Sequence, residues 1–293
     1  MSQMNQLPIG IFDSGVGGLT VYRALHDRLP NEHFVYLGDT ARVPYGTKSL
    51  ATVERYAIEN SQFLASLGIK MLVVACNTAS ALALPRIREK IGLDVVGVIG
   101  PGGRKAVEIT KDKTGPRIGV IATEATVSSN AYLEAIRRAS SEAAVLQAGC
   151  PLFVPLAEEG WTVEPETRSI AEKYLREMKE FQPDALVLGC THYPILREVI
   201  QQTVGDDVKL VDSGEATADE VKILLRDREL ANTQESTGPR TLCDDLDHFY
   251  VTDAADRFAR VAERFLGTKP SKLEAIELYG VDELKGKSEK GRE

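Results

Sequence analysis

Three landmarks recur in the same order in the two halves of this chain, and that repetition limits its fold more than any other feature. Ile9-Gly10-Ile11-Phe12-Asp13-Ser14 aligns with Ile118-Gly119-Val120-Ile121-Ala122-Thr123, and LVVACNT (72–78) aligns with LVLGCTH (186–192). VIGPGG (98–103) then pairs with LVDSGE (210–215) at a similar separation. Each landmark starts as a short β-branched apolar run and passes through Gly or capping residues into a helical pattern. Ile9–Phe12 leads to Leu19–Leu29, where Leu19, Tyr22, Leu25 and Leu29 recur at helical spacing. His33–Leu37 reads as a strand and Ser49–Gly68 as a helix closed by Gly68; Met71–Ala75 is the next strand, with Ala79–Glu89 helical behind it. Such alternation predicts parallel sheets covered by helices on both faces.

The fold expected is therefore α/β: two doubly wound parallel-sheet domains related by pseudo-twofold symmetry, with the active site in the interdomain cleft. The chain has 293 residues, more than one compact core usually holds. The repeat sets the boundaries at 1–99 plus 211–270 for a discontinuous first domain and 100–210 for the second. HFYVTD (248–253) and the amphipathic stretch Ala254–Leu266 return to the first domain, and 271–293 reads as a tail, charged and Gly-interrupted from Gly280 onward.

A net charge of -8 argues against nucleic acid or an anionic membrane as partner. A small acidic ligand remains open, since local donors bind it. The start of the chain lacks the basic and long apolar segments of a secretory signal. No run reaches the ~18 apolar residues of a membrane span. Met71–Pro85, the most apolar region, is interrupted by Asn77, Thr78 and Ser80. The expected compartment is the cytoplasm. Four cysteines are too few for a disulfide framework in a chain this long, so each is a core residue, a ligand or a nucleophile.

A cysteine that ends an apolar strand is ordinarily a small buried hydrophobe. Cys76 and Cys190 differ in three ways. Each sits at the carboxyl end of a strand, where open α/β sheets place their ligand crevices. Each precedes polar capping residues, Asn77-Thr78 or Thr191-His192, at the start of a helix whose partial positive charge favours thiolate. And the two occupy equivalent places in the repeat. Thiols opposed across a cleft suit racemisation, in which one takes a proton from one face of a carbon while the other delivers a proton to the opposite face. Cys150 and Cys243 have no counterpart in the repeat and read as packing residues or incidentally exposed ones; His26 and His33, on or beside the first helix, are expected to face solvent.

The stretches IFDSGVGGLTV (11–21), GDTARVPYG (38–46), VVACNTAS (73–80), CPLFVPLAEEG (150–160) and LGCTHYP (188–194) together resemble the glutamate racemases of the aspartate/glutamate racemase superfamily. The likeness spans roughly residues 7–266. It implies that Cys76 and Cys190 are the catalytic pair, with no pyridoxal phosphate, metal or other cofactor. Cys76 would face the α-proton of the D-enantiomer and Cys190 that of the L-enantiomer. By the same resemblance Asp13 supports Cys76, His192 supports Cys190, and Glu158 is a further auxiliary, in competition with its neighbour Glu159. Substrate would be held by Asp13, Ser14, Tyr45, Gly46, Asn77, Thr78, Thr191 and His192, with Thr123 and Thr126 contributing. The resemblance also implies glutamate as substrate, supply of D-glutamate to peptidoglycan synthesis, and a homodimer.

Each of these residues has a plainer alternative: a helix cap for Asp13, a satisfied strand-end histidine for His192, turn packing for Tyr45, solvated surface for Glu158. Other chemistries find less support. GVGG (15–18) lacks GxGxxG spacing and a following Lys-Ser or Lys-Thr pair, and no CxxC or HxxxH marks a metal or redox site. A binding protein for acidic ligands, an aspartate or hydantoin racemase, and a one-thiol decarboxylase are the rival readings. The presence of both thiols argues against the last.

Overall fold

A computed structural model describes residues 3–234 and 240–278. The chain begins β1 (Ile9–Asp13), α1 (Leu19–Arg28), β2 (Phe34–Gly38), α2 (Leu50–Ser66), β3 (Met71–Val74), α3 (Asn77–Leu82), α4 (Leu84–Lys90), β4 (Asp94–Gly97) and α5 (Ile99–Ile109). It continues through β5 (Arg117–Ala122), α6 (Glu124–Ser128), α7 (Ala131–Ala139), β6 (Ala144–Gly149), α8 (Phe153–Glu159), α9 (Pro165–Tyr174), α10 (Arg176–Phe181) and β7 (Ala185–Gly189). Last come α11 (Arg197–Val204), β8 (Lys209–Asp212), α12 (Ser213–Asp227), β9 (His248–Val251), α13 (Ala255–Leu266) and β10 (Leu273–Ala275).

Among the described residues the strands form two wholly parallel sheets, ordered β10-β9-β2-β1-β3-β4 and β6-β5-β7-β8. The second order repeats β2-β1-β3-β4 of the first, strand for strand. Phe12 pairs with Val74 as Ile121 pairs with Leu188, which is the register of the first two sequence landmarks. The third landmark is misaligned in the sequence comparison. Val74 pairs with Gly97 and Leu188 with Asp212, so Gly97, not Gly100, is the counterpart of Asp212.

The strands β1, β2, β3 and β7 are buried on both faces, which is why they read as unbroken apolar runs. Ile9, Ile11 and Val73 of the first sheet share one apolar cluster with Ile121, Leu186 and Leu188 of the second. The alternate residues Phe12, Leu72 and Val74 face a second cluster, and Ile118, Val120 and Val187 a third. Helices exchange between the halves. α5 follows β4 but packs on α7 and β7, while α12 follows β8 but packs on α1.

Several expectations are corrected. β10 pairs with β9 at the edge of the first sheet, so Leu273–Ala275 belongs to the fold and not to a tail; the stretch from Gly280 lies outside the described residues. β8 runs to Asp212, past the expected boundary at residue 210. The helix expected over Ala79–Glu89 is two helices that meet at Ala83, with Pro85 in the first turn of α4, where a missing N–H costs nothing. His26 is 6% exposed, against the expectation of solvent, because its ring packs beside Tyr22 and Phe34 on the inner face of α1. His33 is half-buried.

Candidate active site

β1 and β5 each lie between the strand that follows them and the one after that, so the connections leave in opposite directions and a crevice opens at their carboxyl ends. The ends of β1, β3, β5 and β7 meet there. A cavity of about 70 Å3 is lined by both Cys76 and Cys190. Ser14, Tyr45, Gly46, Asn77, Thr78, Thr123, Glu158, Thr191 and His192 line it as well. Asp13 and Thr126 stand behind that wall. Asp13 accepts the Gly15 N–H at 2.8 Å, and Thr126 Oγ1 lies 3.3 Å from Thr78 Oγ1 and 3.0 Å from Thr123 Oγ1. Hence the structure gathers the thirteen candidate catalytic and substrate-binding residues in one place, Asp13 and Thr126 outside the cavity lining.

The two thiols have unlike surroundings. Cys76 caps α3, accepting the Ala79 N–H at 3.5 Å, and its Sγ donates to Ser14 Oγ at 3.4 Å. Burial, with the charge of Asp13 beside it, pushes this thiol up to about 12, against the lowering expected from the helix terminus. Desolvation outweighs the helix contribution because α3 is short and the sulfur is enclosed. Burial also raises the Asp13 carboxyl above its usual range, and Asp13 Oδ1 has no hydrogen-bond partner.

Cys190 Sγ lies 3.9 Å from His192 Nδ1, and His192 Nε2 lies 3.1 Å from Glu158 Oε1. Burial works against a charged imidazole here. The contacts with Cys190 and Glu158 prevail and raise His192 to about 10, so it is cationic at neutral pH. Burial opposes the ionised form of Glu158 too, yet the bond to His192 and the charge of Arg257 leave its carboxyl below the usual range. Glu159 is exposed, which settles which of the adjacent glutamates meets the histidine.

Other groups hold the walls. Tyr45 is buried; its hydroxyl donates to Asp39, which also accepts from Arg42 Nε at 2.8 Å and Asn60 Nδ2 at 3.1 Å. Tyr132 Oη donates to Asn77 Oδ1 at 2.7 Å, leaving Asn77 Nδ2 buried without a partner. Neither lysine nor arginine lines the cavity, so neutral N–H and O–H donors and the imidazolium are what a carboxylate would meet. Among the described residues no group of three or more His, Cys, Asp or Glu side chains could hold a metal ion. Sequence reasoning missed Asp39, Asn60, Tyr132 and Arg257. Asp39 sits within the GDTARVPYG stretch, whereas nothing in the local sequence marks Arg257.

A duplicated parallel α/β fold that brings two thiols and a charged histidine to one small cavity has the form of an acid/base enzyme acting at a single carbon. Residues 9–221 match the Asp/Glu/Hydantoin racemase family, and the chain belongs to it: it is an isomerase. Relatives 43–51% identical to it are named glutamate racemases. That of Geobacter metallireducens is 51% identical, over 89% of this chain and 93% of its own length. The structure of an isoform from Bacillus anthracis superposes with a TM-score of 0.86 at 34% identity, covering 94% of this chain and 98% of that one. The Francisella tularensis enzyme, solved in complex with D-glutamate, superposes at 0.83 with 38% identity and the same coverage.

Proposed function

We propose that this chain interconverts L- and D-glutamate by passing the α-proton between Cys76 and Cys190. The observation that carries the reading is that two thiols at equivalent strand ends line one cavity. In the L-to-D direction, Cys190 as thiolate takes the α-proton from one face and becomes a thiol. Cys76 gives its own proton to the opposite face and becomes the thiolate. The reverse reaction starts from that state. His192, held cationic between Cys190 and Glu158, stabilises the thiolate beside it. Asp13, its carboxyl raised by burial, is the group next to Cys76 suited to hold that thiol's proton. Negative charge developing on the substrate carboxylate would meet Asn77 Nδ2 and the hydroxyls of Ser14, Thr78 and Thr191. Side chains of the chain move both protons, so the reaction requires no added cofactor.

Glutamate as substrate is supported by relatives named glutamate racemase that are 43–51% identical over most of the chain. A cytoplasmic enzyme feeding D-glutamate to peptidoglycan synthesis, working as a homodimer, is what the resemblance adds. No helix among the described residues is long and apolar enough to cross a membrane.

The deciding experiment is circular dichroism of the purified protein with D-glutamate in deuterated buffer, no cofactor added, with mass spectrometry of the recovered amino acid. Loss of optical signal with deuterium at the α-carbon is expected. No signal change and no exchange would remove glutamate as substrate, leaving aspartate and hydantoins to be tried next.

A further inference from the structure

α13 comes from the part of the chain that returns to the first sheet, yet it reaches the Cys190 side of the cavity at three points. Arg257 Nη2 is 3.0 Å from Glu158 Oε2, while the other oxygen of that carboxylate faces His192. Arg264 Nη1 donates to the Glu158 carbonyl at 2.6 Å, at the C-terminus of α8, where a cation is favoured. Phe265 meets the His192 ring edge to face, 5.8 Å between centroids. α13 is itself seated on the first sheet, where Phe258 packs 5.9 Å from the Tyr36 ring.

We propose that Arg257 is a positioning residue for the Cys190 half of the reaction, holding Glu158 where its free oxygen meets His192. The proposal rests on the racemase reading above. Glu158 has somewhere else to go: a second cavity of about 60 Å3, lined by Gly15, Val43, Glu158, Arg257 and Phe258, adjoins the first. Three residues, Gly15, Val43 and Glu158, line both. Without the guanidinium, Glu158 is free to swing into the neighbouring space and leave His192 Nε2 unpaired, loosening the imidazole beside Cys190. A two-oxygen bridge of this kind, one oxygen to each cation, fixes the carboxylate plane as well as its position. Arg257 is 60% exposed on its side chain, so the ion pair contributes little to folding. Its removal is therefore expected to alter turnover and not the melting temperature.

The test is a double-mutant cycle on the full chain, R257Q and E158Q singly and together, with R257K as the conservative variant. R257Q is expected to lower kcat from L-glutamate about tenfold, with KM changed less and Tm unchanged, and R257K to recover most of the loss. In the E158Q background, R257Q should add nothing. Wild-type turnover in R257Q, or the same fold loss in both backgrounds, would overturn the positioning role. The latter result, with a lowered Tm, would make Arg257 a purely structural residue. A wild-type protein that exchanges no α-proton would instead remove the racemase reading and this inference with it.

Discussion

At the scale of single residues, equivalent positions have acquired opposite chemistry. Cys76 faces a carboxylate and a hydroxyl; Cys190 faces an imidazolium. Replacing Cys76 with Ala is expected to cut racemisation by about 10^2–10^4-fold, the usual worth of a positioned acid/base group, in an assay that follows optical rotation from either enantiomer. Full activity in both directions would end the two-thiol scheme. His192→Asn should lower kcat/KM by the same factor from both enantiomers, because mirror-image substrates have equal free energy and their ratio is fixed at unity. The asymmetry belongs in kcat, which should fall further from L-glutamate than from D-glutamate; equal falls would remove the assignment of Cys190 to the L face. The same histidine makes stability pH-dependent. Its folded value, about 10, lies above the usual 6.5, so the stabilisation is complete below 6.5 and is lost as pH rises toward 10. The Tm difference between wild type and His192→Asn should shrink over that window, and a difference that grew would contradict the charged-histidine account.

Among elements, the loop after β1 is the most constrained. A Cβ on Gly17 would fall well inside contact distance of Thr191 Oγ1 and the His192 ring, and one on Gly18 would strike Asp13. Glycine is needed at 17 for close approach of the two halves and at 18 for close approach of the loop to its own strand, with no unusual backbone angle involved. Gly17→Ala should therefore lower kcat/KM by about tenfold or more by displacing His192, while circular dichroism of the backbone stays native. An unchanged rate would mean that the loop yields without moving the histidine. The sequence marked this loop through its glycines but left the reason for Gly17 open, since its partners lie in the other half of the chain. Element boundaries blurred for a comparable reason. Leu82, Ala83 and Leu84 continue an apolar helical pattern across the junction of α3 and α4, and only the Pro85 start of the second helix separates them.

On the scale of the whole molecule, a buried ion pair ties together segments distant along the chain. Lys70, just before β3, is 2% exposed; it pairs with Glu32 at 2.5 Å and donates to the carbonyls of Asn5 and Leu230 at 2.7 and 2.9 Å. Lys70→Met would leave the Glu32 carboxylate enclosed without its cation, at a cost of about 3–5 kcal/mol. A fall in Tm of about 10 °C is expected by calorimetry, with Glu32→Gln in the same chain restoring part of it. No change in Tm would show that water reaches the carboxylate. The exchange of α5 and α12 between the halves acts at the same scale, because each follows an edge strand of one sheet, β4 or β8, and packs on helices of the other half.

The sequence by itself determined the duplication, the parallel character of both sheets and the two strand ends that carry thiols. These rest on local physics: apolar runs of strand length, polar caps and glycine turns, each legible within a few residues. Through motifs that resemble a known family it also named both thiols and most of the polar side chains of the cavity wall, but not the groups behind them such as Asp39 and Tyr132. Only the tertiary structure decided which groups surround each thiol. Burial and the charge of Asp13 overrode the helix terminus at Cys76, and Glu158, not Glu159, turned inward to His192. The tertiary structure also set the edge strand β10 in the first sheet and brought the arginines of α13 to Glu158. Desolvation and long-range contact depend on what encloses a group, and that is settled by segments far away in the chain.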